Sequence, residues 1–271
     1  MKIGLQTFTV RRLMRTSKNI DKTFLALAEM GIENLEIAVD YLNFPFTEST
    51  ARMLDETARR NGLKIASCQI KYKTASADPA KTAEWMRQLG AKTVVNSVID
   101  VNLFMGGTGF ISGQSAMGQD GILRYCEQLN ELAAQLKPYG IDLAHHNHHY
   151  EFMRCDYTLN GGIVLDLMIK RFEGGFVFDT YWCQKGGGNV IELLGRLKGR
   201  VPVMHLHDFV VDPFGLLTGG KDAAVGEGAI PFGAVLNAAE AAGVEYGMIE
   251  QKTRRPLECV GKSVKTLNQL R

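Results

Sequence analysis

Short apolar runs and longer amphipathic segments alternate along the whole chain. The runs fall at 2–8 (KIGLQTF), 32–38 (IENLEIA), 64–70 (KIASCQI), 92–98 (KTVVNSV), 141–146 (IDLAHH), 176–179 (FVFD), 201–207 (VPVMHLH) and 246–250 (YGMIE). Their length predicts eight strands. Segments 19–30, 47–61, 79–89, 118–138, 160–172, 189–197 and 231–242 read as helices, with a last helix at about 256–270. The 3.6-residue period is plainest in DKTFLALAEMGI and ILRYCEQLNELAAQLKPYGI.

Several helical segments end in a glycine shortly before the next run: Gly31, Gly62, Gly90, Gly140 and Gly243. Glycine there closes a helix in the left-handed conformation without a Cβ clash. Repeated strand, helix, glycine, strand units imply parallel strands joined by crossovers. Eight of them in 271 residues fit an α/β fold of one domain, a (β/α)8 TIM barrel over 1–271, better than an open doubly wound sheet. No GxGxxG follows the first strand, so a dinucleotide-binding fold loses its main support. Two connections, 99–117 and 208–230, are longer than the topology needs and are expected on the face carrying the strands' C-terminal ends.

Composition narrows the function classes. A net charge of +2 gives no basic footprint for nucleic acid. The longest apolar runs are too short to cross a bilayer, and the N-terminus lacks the apolar core of a secretion signal. Five scattered cysteines without a CxxC pair argue against a disulfide framework or a thiolate zinc site. A cytoplasmic protein, with no membrane or nucleic-acid partner, is expected.

All six histidines lie in two stretches, HHNHHYE (145–151) and MHLHD (204–208). The fifth strand ends in the first stretch, the sixth in Asp179, the seventh in His205 and the eighth in Glu250. In a barrel these ends converge at the mouth, where active sites of this fold lie. Converging carboxylates and imidazoles repel or compete unless a cation sits between them. A mixed nitrogen and oxygen set suits Mn²⁺, Zn²⁺, Fe²⁺ or Co²⁺ better than Ca²⁺. Any one of these residues alone is as readily a helix cap or a surface partner. Their joint placement on four consecutive strands is what points to a metal.

GIDLAHHNHHYEF (140–152), FVFDTYW (176–182), VPVMHLHDF (201–209), VGEGAIPF (225–232) and YGMIEQ (246–251), in this order and spacing, resemble the sugar phosphate isomerase/epimerase branch of the xylose isomerase-like TIM-barrel superfamily. The HNHxxEF form of the fifth-strand stretch marks a subgroup of it. The resemblance implies one divalent metal, Mn²⁺ first, with Zn²⁺, Co²⁺, Fe²⁺ or Mg²⁺ as alternatives, held by His146, Asp179, His205 and Glu250. It implies a carbohydrate substrate and abstraction of a proton next to a carbonyl, giving a metal-stabilised enediolate. Glu250 is the leading base, with His146 or Glu151 as the second acid/base group. Returning the proton to the other carbon isomerises, and to the opposite face epimerises. Loss of a β-hydroxyl makes the enzyme a dehydratase or lyase, on an inosose or 3-keto-glycoside for example. Many relatives carry Glu where this chain has His146, so the two-glutamate arrangement of the superfamily's epimerases is altered here.

Further candidates for substrate contact are His148, Trp182, Lys185, His207, Asp208 and Gln6. His145 and His149 read as structural, and Glu227 as a loop anchor. A homo-oligomer accords with the resemblance. Two other classes compete with this reading: a non-catalytic sugar-binding barrel, and a nuclease like the apurinic endonucleases of the superfamily. The second is disfavoured because the second and third strands end in EIAVDY and SCQIKYK, without the histidines that such a metal cluster uses.

Overall fold

The eight apolar runs pair side by side and in parallel into a closed barrel. A computed structural model describes residues 1–97, 119–155, 162–211 and 221–271. The barrel strands are β1 (Lys2–Gln6), β2 (Asn34–Ala38), β3 (Lys64–Gln69), β4 (Thr93–Asn96), β5 (Asp142–His146), β6 (Gly175–Asp179), β7 (Val203–Leu206) and, after a hairpin, β10 (Tyr246–Ile249). β10 closes the ring against β1. The predicted long helices are α1 (Ser17–Glu29), α2 (Glu48–Arg60), α4 (Pro79–Leu89), α5 (Gln119–Leu136), α6 (Val164–Arg171), α8 (Val190–Arg196), α9 (Phe232–Ala242) and α10 (Pro256–Leu270). Gly31, Gly62, Gly90, Gly140 and Gly243 all have positive φ, as their helix-closing role requires.

Four short elements lack a sequence signal. α3 (Tyr72–Ala77) and α7 (Thr180–Lys185) are single short turns. The segment expected as a loop from 208 contains an antiparallel hairpin, β8 (Asp208–Val210) with β9 (Lys221–Ala223), in which Phe209 faces Asp222. The other long connection, 99–117, lies outside the described residues.

Most of the apolar core fills the space between barrel and helices. A second, smaller cluster lies inside the barrel: Val95, Ala144, Val177, Val203 and Met248. Gly4 belongs to the same interior level, because a Cβ there would meet Met248 Sδ at 2.4 Å and the Asn34 carbonyl at 2.6 Å. Side chains in a strand alternate between faces, so the next inward position on each strand lies two residues on. Counting two from this apolar layer gives Ser97, His146, Asp179, His205 and Glu250. Strand periodicity alone stacks a polar layer on an apolar floor at the C-terminal mouth.

Candidate active site

His146, Asp179, His205 and Glu250 are all buried, and each offers a ligand atom within 4.8 Å of the others. His146 Nε2 stands 3.6 Å from Asp179 Oδ2, and His205 Nδ1 lies 3.8 Å from the same oxygen and 2.8 Å from Glu250 Oε2. The register explains part of this, since Asp179 pairs with His205 across β6 and β7.

Both nitrogens of His146, Nδ1 of His205 and Oε2 of Glu250 are buried without a hydrogen bond. Nδ1 and Oε2 approach to 2.8 Å yet are not aligned as donor and acceptor. A buried polar atom left unpaired costs on the order of 1–3 kcal/mol. Several of them gathered at one point make a set of lone pairs directed at a shared centre. Two imidazoles and two carboxylates fit a divalent metal ion of the first transition row.

The charges are balanced as far as protein groups allow. Burial pushes Glu250 upward, but the His205 ring outweighs it and holds the carboxyl down at about 2. Burial likewise opposes ionisation of Asp179, and His207 and His146 hold it below the ordinary carboxylate range. Burial resists charging His205, yet Glu36 and then Glu250 lift it well above the usual imidazole value.

A supporting layer fixes these side chains. Nε2 of His205 donates to Glu36 Oε1 at 2.9 Å, and Ser67 Oγ donates to Glu36 Oε2 at 2.7 Å. This leaves Nδ1 as the nitrogen free for a metal, an arrangement that tunes ligand basicity in metal sites. Asp179 caps α7 through Oδ1, which accepts from the Trp182 backbone N–H at 2.8 Å, while its own N–H donates to Asn147 Oδ1. His207 spans two carboxylates, with Nδ1 to Asp179 Oδ2 at 3.1 Å and Nε2 to Asp222 Oδ2 at 2.9 Å. Burial opposes its charge, but Asp179 and Asp222 raise its pKa to about 10.

The remaining sequence candidates separate into two groups. His148 and Trp182 line a narrow cavity of about 50 Å3 together with His146 and Glu250. Burial, followed by the neighbouring His146, drives the His148 pKa down to about 2, so this ring is neutral. Lys185 is exposed, its Nζ 4.9 Å from the Trp182 ring centre, and His149 stacks on the same indole at 5.3 Å. The other group has its polar atoms engaged by protein partners. Glu151, expected as an acid/base candidate, is fully buried, with Oε1 bonded to His145 Nε2 (3.0 Å) and Oε2 to the His148 backbone N–H (2.8 Å). His207, expected to touch substrate, has no exposed surface and both nitrogens engaged. Asp208 accepts four backbone N–H groups, from Phe209, Gly226, Gly228 and Ile230. Gln6 is tied to Gln69 and to the Phe8 N–H. Glu227 pairs with Lys262 at the surface.

Sequence reading missed Glu36, Asp222, Lys252, Phe8 and Tyr41. Glu36 had a signal: it is the one charged residue in NLEIA, and it stands two after the inward Asn34. The last three line the cavity from loops after β10, β1 and β2.

Residues 24–270 match the family model described as a xylose isomerase-like TIM barrel. No curated protein matches the chain. Among solved structures, a sugar phosphate isomerase/epimerase from Parabacteroides distasonis superimposes with a TM-score of 0.75 at 20% identity, covering 98% of this chain and 93% of that one. The 3-keto-D-glucoside 4-epimerase YcjR from E. coli gives 0.70 at 15% identity, with 99% of each chain covered. The IOLI protein, solved with a bound zinc atom, gives 0.68 at 18% identity, covering 100% of this chain and 98% of that one.

Proposed function

The chain belongs to the xylose isomerase-like TIM-barrel family, and on that premise we propose that it is a divalent-metal-dependent isomerase or epimerase of a keto-sugar or related sugar derivative. The observation that carries this reading is the buried set of unpaired ligand atoms on His146, His205 and Glu250 around Asp179. These four residues would hold the cation, with Mn²⁺ the leading choice for a mixed nitrogen and oxygen set. When bound, a divalent cation supplies Lewis-acid polarisation of a carbonyl and stabilises the negative charge that develops as the neighbouring proton leaves.

The protein's own groups do the rest. Glu250 is the carboxylate of the cluster that also lines the cavity, so it is assigned the removal of the α-proton. His148, neutral in its buried setting, offers a hydrogen bond to a substrate hydroxyl and carries no charge into the site. Glu151 acts through His148: with both oxygens engaged, it holds the 145–151 turn in place. Glu36 orients His205, and His207 steadies Asp179. Phe8, Tyr41 and Trp182 wall the cavity and offer ring faces to the sugar's C–H groups.

A second reading, β-elimination of a hydroxyl, draws on one feature of the cavity. Among the described residues that line it, Glu250 is the one carboxylate, beside the imidazoles of His146 and His148. Exchange of a proton between opposite faces is served by a base on each side, whereas elimination needs one base and one acid. Incubating the Mn²⁺-loaded protein in D₂O with a panel of keto-sugars, inososes and 3-keto-glucosides, followed by NMR, tests both. Deuterium entering a carbon next to a carbonyl supports proton abstraction, and a product short of one water identifies elimination. No exchange and no product with any member, with metal bound, overturns the assignment in favour of a non-catalytic sugar-binding barrel.

A further inference from the structure

Each ring that walls the cavity has a cation close to it. The guanidinium of Arg11 lies 3.6 Å from the Phe8 ring centre, and Lys252 Nζ is 5.9 Å from the same ring and 4.7 Å from Trp182. Lys185 Nζ is 4.9 Å from Trp182, and Lys71 Nζ is 5.9 Å from Tyr41. None of these four cations forms an ion pair among the described residues. Three nearby carboxylates have other partners, among them Glu250 of the same cavity, which stands 2.8 Å from His205 Nδ1. Asp40 accepts the Lys71 backbone N–H, and Asp222 accepts His207 Nε2 and the Lys252 backbone N–H.

The four cations thus form a collar without an ion-pair partner among the described residues, on a chain whose net charge is only +2. Aromatic faces orient such cations but neutralise none of their charge. Lys252 differs from the others because it lines the cavity itself, beside Glu250. It also lines a neighbouring groove in which Lys221, Arg254, Arg255 and Lys262 join it against the acids Asp222, Glu227 and Glu258, so cations outnumber acids outward from the mouth. The field is felt by a third party: after burial, Lys185 is the next influence lowering the His149 pKa, and Lys252 adds to it.

We propose that the substrate carries an anionic group, carboxylate or phosphate, away from its reacting carbonyl, and that Lys252 binds this group at the cavity wall while Arg11, Lys71 and Lys185 steer it in. The proposal rests on the sugar-enzyme reading above and adds the charge class of the substrate. Lys252 becomes a specificity-determining residue. Its ammonium reaches past Trp182, and the Asp222 carboxylate fixes the backbone from which it extends.

The test is calorimetric titration of the Mn²⁺-loaded protein with neutral hexoses and their keto forms, the matching hexuronates, and the matching hexose phosphates. At low salt at least one anionic series is expected to bind about ten-fold more tightly than its neutral parent, a charge-assisted contact at a partly dried wall being worth that much. The preference should shrink as salt rises. Whether uronates or phosphates gain identifies the anion. Lys252→Met should abolish the preference, while Lys71→Met and Lys185→Met should mainly flatten its salt dependence. Absence of any anionic preference in the wild type, or its survival in Lys252→Met, overturns the proposal. Deuterium exchange with neutral keto-sugars under those conditions leaves the enzyme reading standing, so the two fail separately.

Discussion

Glu36 on β2 accepts a hydrogen bond from Nε2 of His205 on β7 at 2.9 Å, although these strands are not neighbours in the barrel. The bond crosses the mouth and selects which nitrogen of His205 faces the carboxylates of Asp179 and Glu250.

Glu36→Gln is therefore expected to weaken metal binding by about 10–100-fold, the usual range for losing such an outer partner. Competitive titration of Mn²⁺ against a fluorescent chelator measures it. Unchanged affinity would mean that His205 is oriented by something other than Glu36.

His146→Glu places a third carboxylate beside Asp179 and Glu250, in a cluster with no exposed surface to speak of. The metal-free variant should lose about 3–5 kcal/mol through an uncompensated buried charge. Mn²⁺ should restore more melting temperature than it adds to the wild type, because binding to the folded state alone is stabilising by mass action. Thermal unfolding with and without Mn²⁺ checks both, and equal metal-induced shifts in the two proteins would count against a cation at this position.

Asp222→Ala leaves His207 Nε2 buried and without its carboxylate. The expected cost is about 1–3 kcal/mol in urea unfolding. Asp222→Asn, which keeps an acceptor oxygen, should recover part of the loss, and failure to do so would show that charge outweighs the hydrogen bond.

Burial lifts the Cys126 thiol from its ordinary 9.0 to about 11. Below pH 9 the thiol is protonated in folded and unfolded chains alike, and its full contribution to stability is present. Between pH 9 and 11 the unfolded chain ionises first, so this contribution falls as pH rises. Comparison of wild type with Cys126→Ala in urea at pH 8 and pH 10.5 should show the smaller alkaline loss in the variant. Parallel losses would place the alkaline sensitivity elsewhere.

Much of the candidate cluster was legible because strand alternation is regular. FVF before Asp179, PVM before His205 and GMI before Glu250 place a polar residue one inward step above an apolar floor, and the floor is the cluster of Val177, Val203 and Met248. Glu36 obeys the same rule but escaped notice, because its run ends in apolar residues and no histidine marks it. Asp222 was illegible for a different reason. It reaches His207 through a hairpin of three-residue strands, too short to show a period. Glu151 and His207 carried the right chemistry for a mouth, but tertiary partners took up their polar atoms. Such partnering depends on contacts between loops, which sequence spacing does not encode.

Asp208 holds the backbone N–H groups of Gly226, Gly228 and Ile230 with one carboxylate, and a Cβ on Gly228 would meet Asp208 Oδ1 at 2.2 Å and the Phe209 carbonyl at 2.4 Å. Acid and glycine are thus locked to each other. Replacing the acid strands the amides, and replacing the glycine evicts the acid. Neither can change first without loosening the hairpin that carries Asp222. The two positions therefore act as one unit: loss of either is expected to unsettle the same hairpin, and losing both should cost little more than losing one.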